Sequence, residues 1–451
     1  MPDKQTDVLK SFEKILGVID IIFGLFWGDE GKGKIIDYLI GLYLYAAVIR
    51  ANGGSNAGHT IIVKGKKTIL HVIPSGIEHK NILLICGSGM VIHPDDLLVE
   101  IAIVKAVDKH VLKRLYISED ATISTPWNRF LDALRENTKG NGSNGSTKKG
   151  IAQTYSDDVL HVALRYIDVA LPERQFEKKY RKYAEGQRKL VEAYYPGWIT
   201  EHTDEIEAAE KTFLESIRAI RKKVKITDTV RLANELLKEG KHILIEGAQG
   251  VNLDTRHGFY PGVTSSHTTP AMLLGYAGLP ISSVRDTIAV SKWYITKVGD
   301  GETPSLMEPE VEELVRKVGD EFGATTKRPR KCLWMDELVL EYALLRSHPT
   351  KIFINKMDVC PVKRVKVATG YVLKNKKTVR VLSKPLSKIK SVEYAEMNGW
   401  PEIEEGTKTL PAAAVSYLNY LDVIIKKHSP KTIIAGVGVG RDREAILRWE
   451  G

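Results

Sequence analysis

Residues Gly24 to Lys34 read GLFWGDEGKGK, and the stretch WGDEGKGK from Trp27 follows almost directly on the apolar run Ile19–Phe23. That order predicts a strand, a glycine-rich turn and then a helix opening at the apolar-patterned Ile35. Backbone amides in such a turn, with the start of the helix behind it, make a cradle for phosphate. Gly28 to Lys34 satisfies GxxxxGK, but Ile35 stands where a P-loop carries the Ser or Thr hydroxyl that holds Mg²⁺. A carboxylate, Asp29, sits inside the loop instead. An acid in a phosphate loop suggests chemistry beyond simple nucleotide hydrolysis.

Asn355-Lys356-Met357-Asp358 follows the strand-like Lys351–Ile354. NKxD after a strand reads guanine: the carboxylate accepts from the base N1–H and amine while the lysine stem packs on the ring. A surface turn with Asp358 capping a helix gives the same four residues. Joined to the phosphate loop, they point to GTP. Residues 53–60, GGSNAGHT, form a tight turn that ends in His59. A lone histidine is commonly structural, but one in a glycine-rich loop can approach a ligand and act as acid or donor. Phe322 to Lys331, FGATTKRPRK, gathers Lys327, Arg328, Arg330 and Lys331 beside two threonines. Arginine forks suit carboxylate and phosphate, and a solvated basic loop reads alike.

The elements that must position these groups describe a large α/β fold. Ile82–Cys86, His242–Glu246 and Thr432–Ala435 read as buried strands that empty into glycine-rich loops, with Val48–Arg50 and Thr60–Val63 around the GGSNAGHT turn. Ligands on such folds sit at the strands' C-terminal ends. Residues 3–16 read as a short amphipathic helix. From 173 to 224 two helical stripes appear, Phe176, Tyr180, Tyr183, Gln187, Leu190, Tyr194 and then Ile206, Ala209, Phe213, Ile217, Ile220, Val224. Gly240 closes a third helix, and Val362–Leu382 alternates around KNKK as a β-hairpin. The fold class is therefore α/β: a large, mostly parallel central sheet with a P-loop-like phosphate loop, flanking helices and a helical insertion at about 173–240. Residues 1–18 read as an N-terminal extension and 19–451 as a single domain.

Composition narrows the function. The chain has 451 residues, 43% hydrophobic and 27% charged, which is globular usage. No run approaches the ~18 uncharged apolar residues of a membrane span, and Asp20 interrupts the apolar stretch near the N-terminus. Three scattered cysteines, Cys86, Cys332 and Cys360, lack metal or CxxC spacing, so a reducing, cytoplasmic location is expected. The net charge of +10 reads either as attraction of polyanions or anionic small substrates or as a lysine-rich solvated surface, and no nucleic-acid-binding signature accompanies it. Neither a nucleic acid nor a membrane is an expected partner.

WGDEGKGK, NAGHT, GSG followed by HPDDL, GAQG with LD and YPxVTSSxTT, FGATTxRxR, NKMD and a final GxDR occur in that order. The chain thereby resembles adenylosuccinate synthetase from about residue 19 to 448. The resemblance implies GTP, IMP and L-aspartate as substrates, adenylosuccinate, GDP and phosphate as products, Mg²⁺ as cofactor and a homodimer. It makes Asp29 the base for the IMP N1 proton and a Mg²⁺ ligand with the Gly58 carbonyl, and His59 the acid at the migrating phosphoryl group. Lys32 and Gln249 complete the catalytic set. GTP falls to Gly28, Glu30, Gly31, Gly33, Lys34, Gly58, Thr60, Arg330, Lys356, Asp358, Gly438 and Gly440. IMP falls to Asn56, Ala57, Thr147, Lys149, Gln249, Thr264 and Arg328, and aspartate to Thr325, Thr326, Arg328 and Arg330.

The chain departs from that pattern at Leu25, Phe26, Ser55, Gly438 and Arg441, and in the loop GSTKKGIAQ at 145–153. In the family the arginine that one subunit lends to its neighbour's IMP aligns with His161 here, so either Lys148, Lys149 or Arg165 takes that role or the dimer contact differs. Two other functions stay open at this level. A family variant that aminates GMP or dGMP loses the loop acid, whereas Asp29 and NKMD are intact here. A GTP-binding switch needs the hydroxyl that Ile35 lacks. A degenerate, inactive homologue is opposed by Asp29, Lys32, His59 and Gln249.

Overall fold

The structure is a computed structural model that describes residues 17–451 except 64–65, 139–146, 300, 324–327, 383–385, 404–408, 430–432, 438–445 and 448–451. The helix expected at 3–16 lies outside the described residues, as do Thr325, Thr326, Lys327, Gly438 and Gly440.

Among the described residues an eleven-stranded sheet forms the frame. Its central strands, in spatial order, are Lys351–Asn355, Val284–Lys292, Ile19–Gly24, His242–Gly250, Tyr45–Gly53 and Leu83–Ile92. All six run parallel, as the unbroken apolar runs predict for strands covered on both faces. Ile433–Val437 extends one side in parallel, and Ile446–Leu447 closes that edge antiparallel. Side-chain alternation divides the interior: Ile19, Ile21 and Phe23 enter one apolar cluster. Ile22 enters another with Ile35, Ile36, Leu39 and Ile40 of the helix behind the phosphate loop.

Residues 173–223 fold as three helices, Glu173–Tyr194, Trp198–Glu201 and Thr203–Lys223. Their stripes meet: the Tyr180 and Phe213 rings pack 4.8 Å apart between centroids, and Phe176, Tyr183, Ile206, Ile217 and Ile220 are buried with them. The first stripe ends differently from its sequence pattern. Tyr194, the last residue of the helix, is 69% exposed and Val191 is buried in its place. Lys225–Thr227 then joins the sheet beside Leu115–Ser118, and the helix Thr229–Lys238, capped by Asp228, packs on the sheet face.

The expected hairpin at 362–382 is part of a four-stranded sheet among the described residues, in which Met335–Asp336 also pairs in parallel with Arg364–Leu373. Arg364–Leu373 meets Thr378–Val379 over two pairs, and its main partner is Ile389–Asn398. Alternation identified the strand, but the longer-range partner carries no local turn signal. Among the described residues no helix is long and apolar enough to cross a membrane.

Candidate active site

The C-terminal ends of the central strands bring the motifs to one edge. Ile19–Gly24 delivers the phosphate loop, Lys351–Asn355 the NKMD turn, His242–Gly250 the GAQG segment, and Tyr45–Gly53 the turn before His59. The helix behind the loop begins at Lys32, three residues earlier than the apolar pattern indicates. Gly31 at φ 89° makes this possible, since a left-handed N-cap turns the chain directly into the helix. Lys32 and Gly33 thus supply first-turn amides, which have no intrahelical acceptor.

The loop is pinned from three sides. Glu30 turns inward and accepts from the amides of Phe26 (3.0 Å) and Gly28 (2.9 Å). Burial pushes its carboxyl above the usual range, with Lys32 opposing. Lys32 Nζ donates to the Gln249 carbonyl at 2.8 Å, tying the loop to the neighbouring strand. Asn355 Nδ2 donates to the Glu30 carbonyl at 2.6 Å, so the guanine-type motif and the phosphate loop are directly joined. A helix-capping duty for Asp358 is excluded, because turn and extended chain follow it. Burial raises the Asp358 carboxyl above its usual range.

Asp29 stands at φ 61°, a conformation that non-glycine residues hold only where the surroundings impose it. Arg330 Nε donates to Asp29 Oδ2 at 2.9 Å, and its Nη1 donates to Glu321 at 2.7 Å. Glu321 in turn accepts from Lys292 Nζ (2.8 Å) and the Tyr294 hydroxyl (2.6 Å). Burial drives the Glu321 carboxyl upward, but Lys292 and Arg330 overcome it and hold it at about 2. Lys292 answers oppositely: burial keeps its ammonium below the usual range despite Glu321. Attraction within this pair therefore offsets desolvation without a large surplus.

His59 is the first residue of the strand His59–Val63, paired with Lys66–Leu70, rather than a loop residue. Its Nδ1 is hydrogen-bonded to Glu246, and Glu246 also accepts from the Ser75 amide and hydroxyl. Burial lowers the affinity of the imidazole for a proton, with Glu246 opposing. His59 Nε2 and both amide atoms of Gln249 are buried with no partner among the described residues. Gln249 also sits at φ 59°, and its amide lies 3.3–3.4 Å from where a Cβ on Gly53 would stand. Buried polar atoms are nearly always satisfied, so such unmatched groups mark a place built for a polar ligand.

The other candidates are more dispersed. Asn56 Oδ1 accepts from the Gly54 amide and the Ala57 carbonyl from His71 Nδ1. Thr264 is held by its amide on the Leu253 carbonyl. Thr147 is exposed, Lys149 lies 3.6 Å from Asp96, and Arg328 is exposed with its carbonyl accepting from Gly323. Lys356 adopts φ 65°. His161 is exposed at φ 60°, while Arg165 pairs with Asp158 at 2.9 Å. Sequence reasoning passed over Glu246, Ser75, Lys292, Glu321 and the Asn355–Glu30 link. An acid directly closing the apolar run Ile243–Ile245, ahead of the GAQG turn, was the available signal for Glu246.

Residues 21–447 match the family described as adenylosuccinate synthetase. The adenylosuccinate synthetase of Chlorobium chlorochromatii is 35% identical over 97% of this chain and 99% of its own. The fully ligated adenylosuccinate synthetase structure from Plasmodium falciparum superposes with a TM-score of 0.84 at 30% identity, covering 96% of this chain and 100% of that one. A cyanophage S-2L succinoaminodeoxyadenylate synthetase, solved with dGMP and dATP, shares the fold at TM-score 0.60 and 19% identity, covering 96% and 95%.

Proposed function

The chain belongs to the adenylosuccinate synthetase family, and we propose that it joins L-aspartate to C6 of IMP using the residues gathered at this sheet edge. The IMP O6 is a poor leaving group, so it must first be phosphorylated. Asp29 takes the N1 proton, O6 attacks the γ-phosphorus of GTP, and GDP departs. The aspartate amine then adds at C6, the C6–O6 bond breaks, and phosphate leaves with its oxygen. His59 hydrogen-bonds the phosphoryl group in transit, and Lys32 with the loop amides offsets the charge that develops there.

Gln249 suits the purine edge, because an amide both donates and accepts. Lys356 and Asp358 read guanine, and Gly438 and Gly440 also bind GTP. Thr325, Thr326, Arg328 and Arg330 take aspartate, and Asn56, Thr147, Lys149 and Thr264 take IMP. Two copies of the chain pair as the working enzyme. The observation that carries this reading is Asp29 itself: a carboxylate in a phosphate loop, paired with Arg330 and next to a helix N-terminus.

The residues also fit a Mg²⁺ ion. The Asp29 carboxylate in the phosphate loop offers oxygen donors of the kind such a hard cation takes. Asp29 and the Gly58 carbonyl would hold it, and when bound it neutralises charge on the transferring phosphate.

Assays of IMP against dGMP, each with GTP or ATP, test the reading. Succinylated product from IMP and GTP alone is expected, and turnover of dGMP without IMP would move the chain to the other substrate class. Asp29→Asn should lower kcat by about 10³-fold or more while GTP still binds. Retained turnover would remove Asp29 as the base.

A further inference from the structure

Three donors converge on one carboxylate beneath His59. Glu246 is fully buried on the strand His242–Gly250. The Ser75 amide donates to its Oε2 at 2.7 Å, the Ser75 hydroxyl donates to its Oε1 at 2.9 Å, and His59 Nδ1 meets the same Oε1. Burial pushes the Glu246 carboxyl up, yet His59 and the buried Arg50 overcome this and hold it below the usual range. An ionised carboxylate only accepts, so Nδ1 must carry hydrogen. The other ring nitrogen, Nε2, is buried and has no partner among the described residues.

We infer that Glu246, clamped by Ser75, is a positioning residue that fixes His59 with Nδ1–H inward and Nε2 as the nitrogen offered to the phosphoryl group. The inference rests on the reading of His59 given above and adds the device that makes it work. With Nδ1 committed, a proton delivered from Nε2 leaves a neutral ring behind, and Glu246 balances the charge beforehand. Neither Glu246 nor Ser75 needs to touch substrate.

The geometry makes an isosteric substitution informative. The Ser75 amide is a fixed donor, so in Glu246→Gln the amide oxygen must occupy the Oε2 place. The NH₂ then falls at the Oε1 place, facing Nδ1, and can only donate. The ring must respond by baring Nδ1 and moving its hydrogen to Nε2. Donation from that neutral ring would leave an imidazolate, so proton delivery fails while volume and packing are preserved.

The test uses the full-length chain labelled with ¹⁵N-histidine, the His59 signals being assigned by their loss in His59→Asn. Long-range ¹H–¹⁵N spectra of the wild type, under conditions where the ring is neutral, should show hydrogen on Nδ1 and a bare Nε2. Glu246→Gln should reverse them. In parallel its kcat should fall by about 100-fold, with KM for IMP and GTP changed only a few-fold. Ser75→Ala, which keeps the amide, should retain the wild-type tautomer. Hydrogen on the same nitrogen in wild type and Glu246→Gln would overturn the inference, as would full kcat with a reversed tautomer. A wild type without ligase activity but with the expected reversal would instead overturn the functional reading and leave this pair standing.

Discussion

In the helical arm, Arg218 bridges Glu173 at 2.5 Å and Glu177 at 2.7 Å with its guanidinium in contact with water. At the sheet edge, Lys292 and Glu321 face each other at 2.8 Å and are each only 2% exposed. Both are carboxylate–cation pairs, yet their surroundings give them different work. Arm charges sit outside an apolar stripe that already holds the helices together. Edge charges are enclosed, so each needs a matched partner, and the chain of partners ends at Asp29 on the phosphate loop. Stability and chemistry should therefore separate along the molecule.

Phe213→Ala offers the largest contrast on the arm side. The ring is fully buried against Tyr180, and removing a buried Phe costs about 3–5 kcal/mol. Urea unfolding should show that loss, whereas kcat per folded molecule should match wild type at a temperature where the variant stays folded. A large fall in kcat with little change in stability would erase the proposed separation.

Acid unfolding sharpens the edge side. The Glu321 carboxyl is held at about 2, against 4.5 ordinarily. A depressed carboxyl contributes stability that is fully present above its unfolded value and lost as pH falls through the folded one. The window is therefore pH 4.5 down to 2, and the contribution over it is about 3 kcal/mol. Unfolding midpoints measured across that range should drop steeply in wild type. Glu321→Gln should be less stable at neutral pH and show a shallower acid limb, and an unchanged limb would mean that Glu321 does not control it.

These contrasts also explain what could be read without coordinates. The phosphate loop, the strands that empty into glycine and the arm's stripes were legible because each is a local pattern of period or turn. Asp29 stood out as a carboxylate inside a phosphate loop that lacks the usual hydroxyl, and His59 as an imidazole ending a glycine-rich segment. Glu246, Lys292 and Glu321 were not legible as a group, since their partners lie far along the chain: Glu246 meets His59 across 187 positions. The early helix start at Lys32 followed from the φ of Gly31, which no apolar pattern reports. The loop at 322–331 was visible as basic residues, but its anchoring through Arg330 to both Asp29 and Glu321 required the fold.

Arg218→Ala should give the smallest effect and the cleanest control. Its pairs with Glu173 and Glu177 raise its already high proton affinity, but a guanidinium is charged at any working pH, so that shift has no bearing on neutral stability. Exposed ion pairs contribute little, because water solvates both partners nearly as well and ordering two long side chains opposes the gain. Two acids share the one arginine, and removing it leaves Glu173 and Glu177 near each other on the same helix, a mild repulsion that salt screens. The expected result is an unfolding midpoint hardly distinguishable from wild type, with the residual difference shrinking further at high ionic strength. A salt-independent loss comparable to that of Phe213→Ala would show that the arm, like the sheet edge, depends on its charges after all.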